Sequence, residues 1–315
     1  MHLIRGLHNL RPQHHGCVAT IGNFDGVHLG HREILSQLDR AAKRLGVPSV
    51  VIVFEPQPRE FFTPDSAPGR LSRFSEKLTL LSGFADTVLC LPFNEALRAM
   101  SAQAFVDQVL VNGLGIQHLV VGDDFCFGAD RAGDYALLQQ AGQKQGFTVE
   151  RADSFEVLGQ RVSSTRVRDA VAEGNFALAE QLLGYPYAMT GRVSHGLALG
   201  RTLGFPTANI HLHRQVSPLH GVYRVKVQLA SGEWKQGVCN IGKRPTVNRR
   251  FAQDVRLEVH LFDYSGDLYR QRLQVVFLDK LRDEKKFSGL DELQRQIAAD
   301  IVEARARITR EASAL

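Results

Sequence analysis

Two textures meet in this chain near residue 186, and no single layer of regular structure accommodates both. From Gly16 to Gly184, uninterrupted apolar runs alternate with amphipathic stretches. Cys17–Ile21 (CVATI) reads as a strand ending in a glycine turn. Ser49–Phe54 (SVVIVF) is a continuous β-branched run, the pattern of a strand covered on both faces. Asp86–Phe93 and Gln117–Val121 are two more strand candidates. Between the first two, HREILSQLDRAAKRLG sets Ile34, Leu35, Leu38, Ala41, Ala42 and Leu45 on one helical face, with Gly46 and Pro48 to stop it. SAQAFVDQVLVN reads as a further helix. Such alternation argues for a parallel α/β sheet. After Tyr185 the runs become short and alternating: PYAMTGRVSHG, PTANIHLH, GVYRVKVQL, EWKQGVCNI, RLEVHLFDY and LYRQRLQVVFLDKL. Ala230-Ser231-Gly232 and Ser265-Gly266-Asp267 look like hairpin turns. This half argues for an antiparallel barrel or sandwich. A closing helix is expected from the S-x-x-D signal of Ser288 and Asp291, with Leu290, Leu293, Ile297, Ile301, Ala304 and Ile308 at helical spacing. The expected domains are 1–185 and 186–315.

The length of 315 residues accommodates two such domains. Lys plus Arg is 38 against 33 Asp plus Glu, a net charge of +5. That excess suits an anionic ligand, whereas a nucleic-acid binder would concentrate it in a stripe. No Arg/Lys run exceeds two residues. Cys17, Cys90, Cys126 and Cys239 are widely spaced with no C-x-x-C, as expected of reduced thiols in the cytosol. The first residues lack the apolar region that secretion needs, and no run of about 18 apolar residues predicts a membrane span.

Residues 20–31 read T-I-G-N-F-D-G-V-H-L-G-H, where a strand gives way to a helix. Glycines permit close backbone approach, and a helix N-terminus favours phosphate. His28 and His31 flank Gly30, so both imidazoles can face one phosphate; the alternative is two surface histidines on a turn. GDDFCFG (122–128) follows another strand. SSTRVR (163–168) opens a helix; alone, S-S-T-R reads first as a helix cap with a surface arginine. In the second half, GRVSHGLALGRTLGFPTAN (191–209) has glycines too frequent for an ordinary strand, and a backbone wrapping a triphosphate or a plain Gly-rich turn would each explain them. In RLEVHLFD, Arg256, Glu258 and His260 alternate with Leu257, Val259 and Leu261, so Glu258 lies on the polar face of a strand.

GNFDGVHLGH followed by GDDFCFG and SSTR resembles the bacterial FAD synthetase branch of the nucleotidyltransferases. G-R-x-L-G-F-P-T-A-N followed by G-V-C-N-I-G-K-R-P-T resembles the riboflavin kinases. Together, in this order, they resemble the bifunctional riboflavin kinase/FMN adenylyltransferase family over nearly the whole chain. That resemblance implies a Rossmann-like parallel sheet followed by an antiparallel β-barrel. It implies that ATP phosphorylates riboflavin to FMN and ADP in the C-terminal domain, and that a second ATP converts FMN to FAD and pyrophosphate in the N-terminal one. The adenylyltransferase ATP site would comprise Gly22, Asn23, Phe24, Asp25, Gly26, His28, His31, Ser163, Ser164, Thr165 and Arg166, with His28, His31 and Arg166 catalytic. FMN would lie against Pro56, Pro58, Phe62 and Asp124. FEPQPREFF departs from the usual F-D-P-H-P at Glu55 and Gln57, and the departure bears on the FMN end. The kinase ATP site would use Gly196, Gly200, Arg201, Gly204, Pro206, Thr207 and Asn209. Thr207 and Asn209 would also hold Mg²⁺, which favours such oxygen donors. Glu258 would accept the proton of the ribityl 5′-hydroxyl. Phe287 either covers the isoalloxazine ring or fills a core gap. Two alternatives stand: a single-activity nucleotidyltransferase with a flavin-binding C-terminal module, and a basic nucleic-acid-binding protein with an OB-like barrel. No membrane or nucleic-acid partner is expected.

Overall fold

The computed structural model describes residues 1–195, 200, 203–214, 216–244 and 254–313. It forms two compact units, Met1–Pro68 with Ser72–Ser164, and Gly69–Leu71 with Thr165–Leu315. In the first, β1 (His2–Arg5), β2 (Val18–Ile21), α1 (Leu29–Leu45), β3 (Ser49–Glu55), α2 (Pro58–Phe62), α3 (Phe74–Leu81) and β4 (Thr87–Pro92) follow one another. Then come α4 (Glu95–Arg98), α5 (Ala102–Phe105), β5 (His118–Val121), α6 (Tyr135–Gln145), β6 (Thr148–Arg151) and the small pair β7 (Glu156–Val157) and β8 (Gln160–Arg161). The sheet order is β1-β4-β3-β2-β5-β6, and every ladder is parallel.

The β-branched runs sort by parity. Val18, Val51, Val53, Val88 and Cys90 pack with Leu35, Leu38, Ala41 and Ala42 of α1, while Ala19, Ile21, Val50, Ile52, Leu89 and Leu119 build the core on the other face. This two-residue period is what sheets covered on both sides require. Leu45 departs from the expected apolar face, being 41% exposed; the last turn of α1 outruns the sheet. Gly46 ends that helix at φ 68°, a left-handed cap that costs glycine nothing. Strands β1 and β6 carried no distinct sequence signal. Their parts in the sheet come from tertiary pairing. Because β2 lies between β3 and β5, the strand order reverses there. A crevice opens beyond the carboxyl ends of β2 and β5, where ligands bind in open α/β sheets.

The second unit begins with α7 (Ser164–Glu173) and α8 (Phe176–Leu183). Phe176 explains why these helices are grouped with the C-terminal strands: its ring packs on Tyr187, Tyr223 and Phe277 at 5.7–6.4 Å. The carbonyls of Gly69, Arg70 and Leu71 accept hydrogen bonds from Arg168, Arg214 and Tyr187. The expected division at 185/186 instead follows the change of sequence texture. Six strands close an antiparallel barrel in the order β10-β13-β12-β11-β14-β9. They are β9 (Ala188–Ser194), β10 (Ala208–His211), β11 (Gly221–Gln228), β12 (Trp234–Arg244), β13 (Asp254–Leu261) and β14 (Arg272–Arg282). Val193, Ile210, Val225, Cys239, Leu257, Val259 and Val275 fill its interior.

The last helix, α9 (Leu290–Ser313), is held less by its apolar face than expected. Ala304 is buried, with Ile301 and Ile308 beside it, but Leu290 is exposed. Its start signal also differs: Ser288 N–H and Oγ both donate to Glu292, not to Asp291. Charged pairs complete the docking. Arg282 donates to Asp300 at 2.8 Å, and the buried Arg224 guanidinium reaches both Asp279 and Glu311. Arg224→Ala removes a buried stem and leaves two carboxylates without their cation, so unfolding in urea should show a loss of about 2–4 kcal/mol. Glu311 is mostly exposed, and Glu311→Ala should cost less than about 1 kcal/mol. Equal losses would show that the guanidinium acts only through α9.

Candidate functional site

A cavity of about 1190 Å³ occupies the crevice of the first unit. Its floor is the turn after β2. Phe24 and Val27 sit at φ 46° and 38°, strained for residues with side chains, and Val27 is β-branched. Both are fully buried against α1, and that packing holds the strained turn. Asp25 turns inward, where its Oδ1 accepts from Ser72 N–H at 3.0 Å, while Ser72 Oγ accepts from Gly26 N–H at 2.9 Å. Asp25 and Gly26 therefore shape the loop and do not line the cavity. Gly22, Asn23, Phe24, His28 and His31 do line it.

His28 caps α1: its Nδ1 accepts from His31 N–H at 3.3 Å. An accepting Nδ1 places the neutral ring's proton on Nε2, a donor for an anion. The His28 and His31 rings stack at 3.6 Å with 16° between planes. Ser163 and Ser164 line the same cavity, and Ser164 Oγ donates to the Asp25 carbonyl at 3.0 Å. Two motifs 139 residues apart are thereby joined. Thr165 and Arg166 continue into α7 and are counted with the second unit.

The far wall is aromatic. Phe54, Phe62 and Phe93 line it, with Phe61 and Phe62 rings edge-on to Phe93 at 5.4 and 5.6 Å. Pro58 lines it too, whereas Pro56 does not. Phe54 and Phe93 went unread in the sequence because each looks like the end of a buried strand. Asp124 is exposed at the rim. Arg161, which no motif singled out, bridges Asp123 at 2.6 Å and Asp124 at 3.3 Å. Gln57 is buried and lies off the cavity wall; its N–H donates to Glu60 at 2.9 Å. Gln57→His should accordingly leave ligand affinity at this cavity within about twofold. A larger change in a binding titration would place position 57 on the cavity wall after all.

In the second unit, strand register assembles a polar row on the outer face of the barrel. Asn209 pairs opposite Glu258, which in turn lies opposite Asn240; on the other side Asn209 faces Ser194. Residues directly opposite share a face, with Cβ atoms about 5 Å apart. Asn240 joins this row through cross-strand register, which is not written in local pattern. Thr207 is half-buried two residues before Asn209. Phe205 N–H closes a turn onto the Gly200 carbonyl at 2.7 Å. A Cβ on Gly200 would press on the Phe205 carbonyl and lie 3.0 Å from Thr207 Oγ1, so only glycine fits there. Gly204 takes φ 86°, and the Leu203 carbonyl accepts from Gln294 of α9. Gly196 and Arg201 lie outside the described residues. Phe287 is half-buried, with Arg282 and Lys285 each 5.7 Å from its ring.

The comparisons with known proteins divide the chain in the same sense. A family model described as FAD synthetase matches residues 10–166, and one described as riboflavin kinase matches 183–308. The second match sets aside both a single-activity enzyme and a nucleic-acid-binding module. The bifunctional riboflavin kinase/FMN adenylyltransferase of Pseudomonas fluorescens is 58% identical over 308 residues, covering 97% of both chains. Its namesake in Escherichia coli K12 is 52% identical with the same coverage, and that of Haemophilus influenzae 50% identical, covering 97% of this chain and 99% of its own. A solved Streptococcus pneumoniae structure described as a macrolide-efflux protein is similar at TM-score 0.77 and 29% identity, covering 95% of this chain and 97% of that one. Among the described residues, no helix is long and apolar enough to cross a membrane. With both halves matched in order and full-length relatives above half identity, this chain belongs to the bifunctional riboflavin kinase/FMN adenylyltransferase family.

Proposed function

We propose that the family's two activities run at the two sites described, adenylyl transfer within residues 1–185 and riboflavin phosphorylation within 186–315. The observation that carries this reading is the spatial meeting of separated motifs: His28, His31 and Ser164 in one crevice, and Asn209 with Glu258 across one pair of strands. In the first site, a phosphate oxygen of FMN attacks the α-phosphorus of ATP. The new P–O bond forms as the bond to pyrophosphate breaks, giving FAD. His28 Nε2–H and His31 stabilise charge on the triphosphate, with Ser163, Ser164, Thr165 and Arg166 as further phosphate donors. The Phe54, Phe62 and Phe93 wall receives the flavin ring. Asp124 meets the adenylate or the flavin phosphate.

In the second site, Glu258 takes the proton of the riboflavin 5′-hydroxyl as its oxygen attacks the γ-phosphorus, and ADP leaves. Gly196, Gly200, Arg201, Gly204 and Pro206 shape the triphosphate loop, and Phe287 lies at the flavin side. Thr207 hydroxyl and Asn209 amide oxygen fit Mg²⁺, a hard cation that accepts neutral oxygen donors and keeps its waters. Among the described residues no cluster of three His, Cys, Asp or Glu side chains could hold a metal. Because Mg²⁺ keeps several waters and takes few protein donors beside substrate phosphates, a cation here would be carried largely by phosphates and water. Bound Mg²⁺ would neutralise phosphate charge during transfer. The chain's partners are then riboflavin, FMN, FAD, ATP, ADP and pyrophosphate. We place the enzyme in the cytoplasm, where four widely spaced free cysteines, Cys17, Cys90 and Cys239 buried and Cys126 exposed, stay reduced. A time course with riboflavin and Mg·ATP tests the scheme. FMN should rise first and FAD follow; FAD absent while FMN accumulates would refute the two-site assignment.

A further inference from the structure

Strand β13 presents a second polar side chain on the face that carries Glu258. His260 lies two residues on, with buried Val259 between them pointing into the barrel. The His260 ring Nδ1 stands 2.9 Å from the carbonyl oxygen of Pro206. A carbonyl only accepts, so Nδ1 carries the proton and donates. Pro206 has no N–H, and this carbonyl is its one backbone polar group.

The position of Pro206 makes the bond consequential. Upstream, Phe205 is tied back to Gly200. Downstream, Asn209 is in register opposite Glu258 and Ser194. Pro206 and Thr207 bridge these two anchors, and the His260 bond fixes the bridge. The ring is itself oriented: Phe205 meets it edge-on at 5.9 Å and Phe262 at 6.0 Å. Phe262 is covered in turn by the Arg305 guanidinium, 4.6 Å from its ring and paired with Asp263 at 2.8 Å. One strand thus supplies a proton acceptor and, two residues later, a clamp on the segment facing it.

We propose that His260 is a positioning residue of the kinase site, whose Nδ1–H bond to Pro206 holds Thr207 and Asn209 where Mg·ATP is received. The inference rests on the reading of that segment as the nucleotide site. Two variants of the full chain separate donor from ring. His260→Asn keeps an N–H attached to Cγ, as Nδ1 is, and can donate to the same carbonyl. His260→Phe keeps the ring and loses the donor. His260→Phe should raise the KM for Mg·ATP about tenfold, with kcat and the KM for riboflavin within about twofold. His260→Asn should restore the KM for Mg·ATP to within about threefold of the parent. Conversion of supplied FMN to FAD should be unchanged in both. An unaltered KM for Mg·ATP in His260→Phe, or equal impairment of both variants, would overturn the proposal. Asn209→Ala keeps its failure distinct. Phosphorylation lost in Asn209→Ala with the KM for Mg·ATP unaltered in His260→Phe removes the positioning role alone. Phosphorylation unaffected in Asn209→Ala removes the nucleotide-site reading and this inference with it.

Discussion

Glu258→Gln should lower riboflavin phosphorylation by about 10²- to 10³-fold while conversion of supplied FMN to FAD continues at the parent rate. Glutamine has the same shape and keeps its place opposite Asn209 and Asn240, its neighbours across β10 and β12. What it lacks is a site for the proton of the attacking hydroxyl. General bases contribute about 10²–10⁴ in rate. The lower part of that range applies because phosphoryl transfer passes through a loose transition state in which the nucleophile's proton departs late. Initial rates with each flavin substrate, on one preparation, read both steps. Parallel loss of both would show a general structural defect, and an undiminished kinase rate would remove Glu258 from the proton's path.

His28→Asn should have the opposite signature: FMN forms normally, and FAD formation falls by about 10²–10³-fold, the range for removing one preorganised donor. The choice of asparagine matters. His28 is the N-cap of α1 as well as a cavity-lining side chain, and asparagine is among the best N-caps. The helix start is therefore kept and only the Nε2 donor is lost. His28→Ala would add about 1 kcal/mol of cap loss and confuse the two effects. Products resolved after incubation with riboflavin and Mg·ATP should stop at FMN. FAD appearing at the parent rate would show that the triphosphate is held without this imidazole.

Much of this was legible in the sequence because it depends on local pattern. The SVVIVF run needed cover on both faces and received it. H-L-G-H followed a strand and opened a helix, so its imidazoles had to lie at the carboxyl edge of the sheet. Long-range pairing was not legible. Nothing around Asn240 says that it stands beside Glu258, and nothing around Arg161 says that it bridges Asp123 and Asp124. Helix α9 shows the limit of hydrophobic periodicity. Its apolar residues predicted the helix correctly, yet Leu290 is exposed and the docking uses Arg224 and Arg282, which a periodicity argument counts as surface. Asp25 taught the converse: it sits inside the motif and spends its carboxylate on Ser72, holding the shape of the loop.

The ring of Phe176 carries a lesson for dissecting the molecule. A gene fragment designed on sequence texture would start the barrel at residue 186. Such a fragment would be born with a wound, since Tyr187, Tyr223 and Phe277 would lose the aromatic lid that α8 lays over them. Heredity of the kinase as a portable module therefore has a longer minimum message than its catalytic motifs suggest. The helices upstream of the barrel belong to its solubility even though none of its chemistry resides in them.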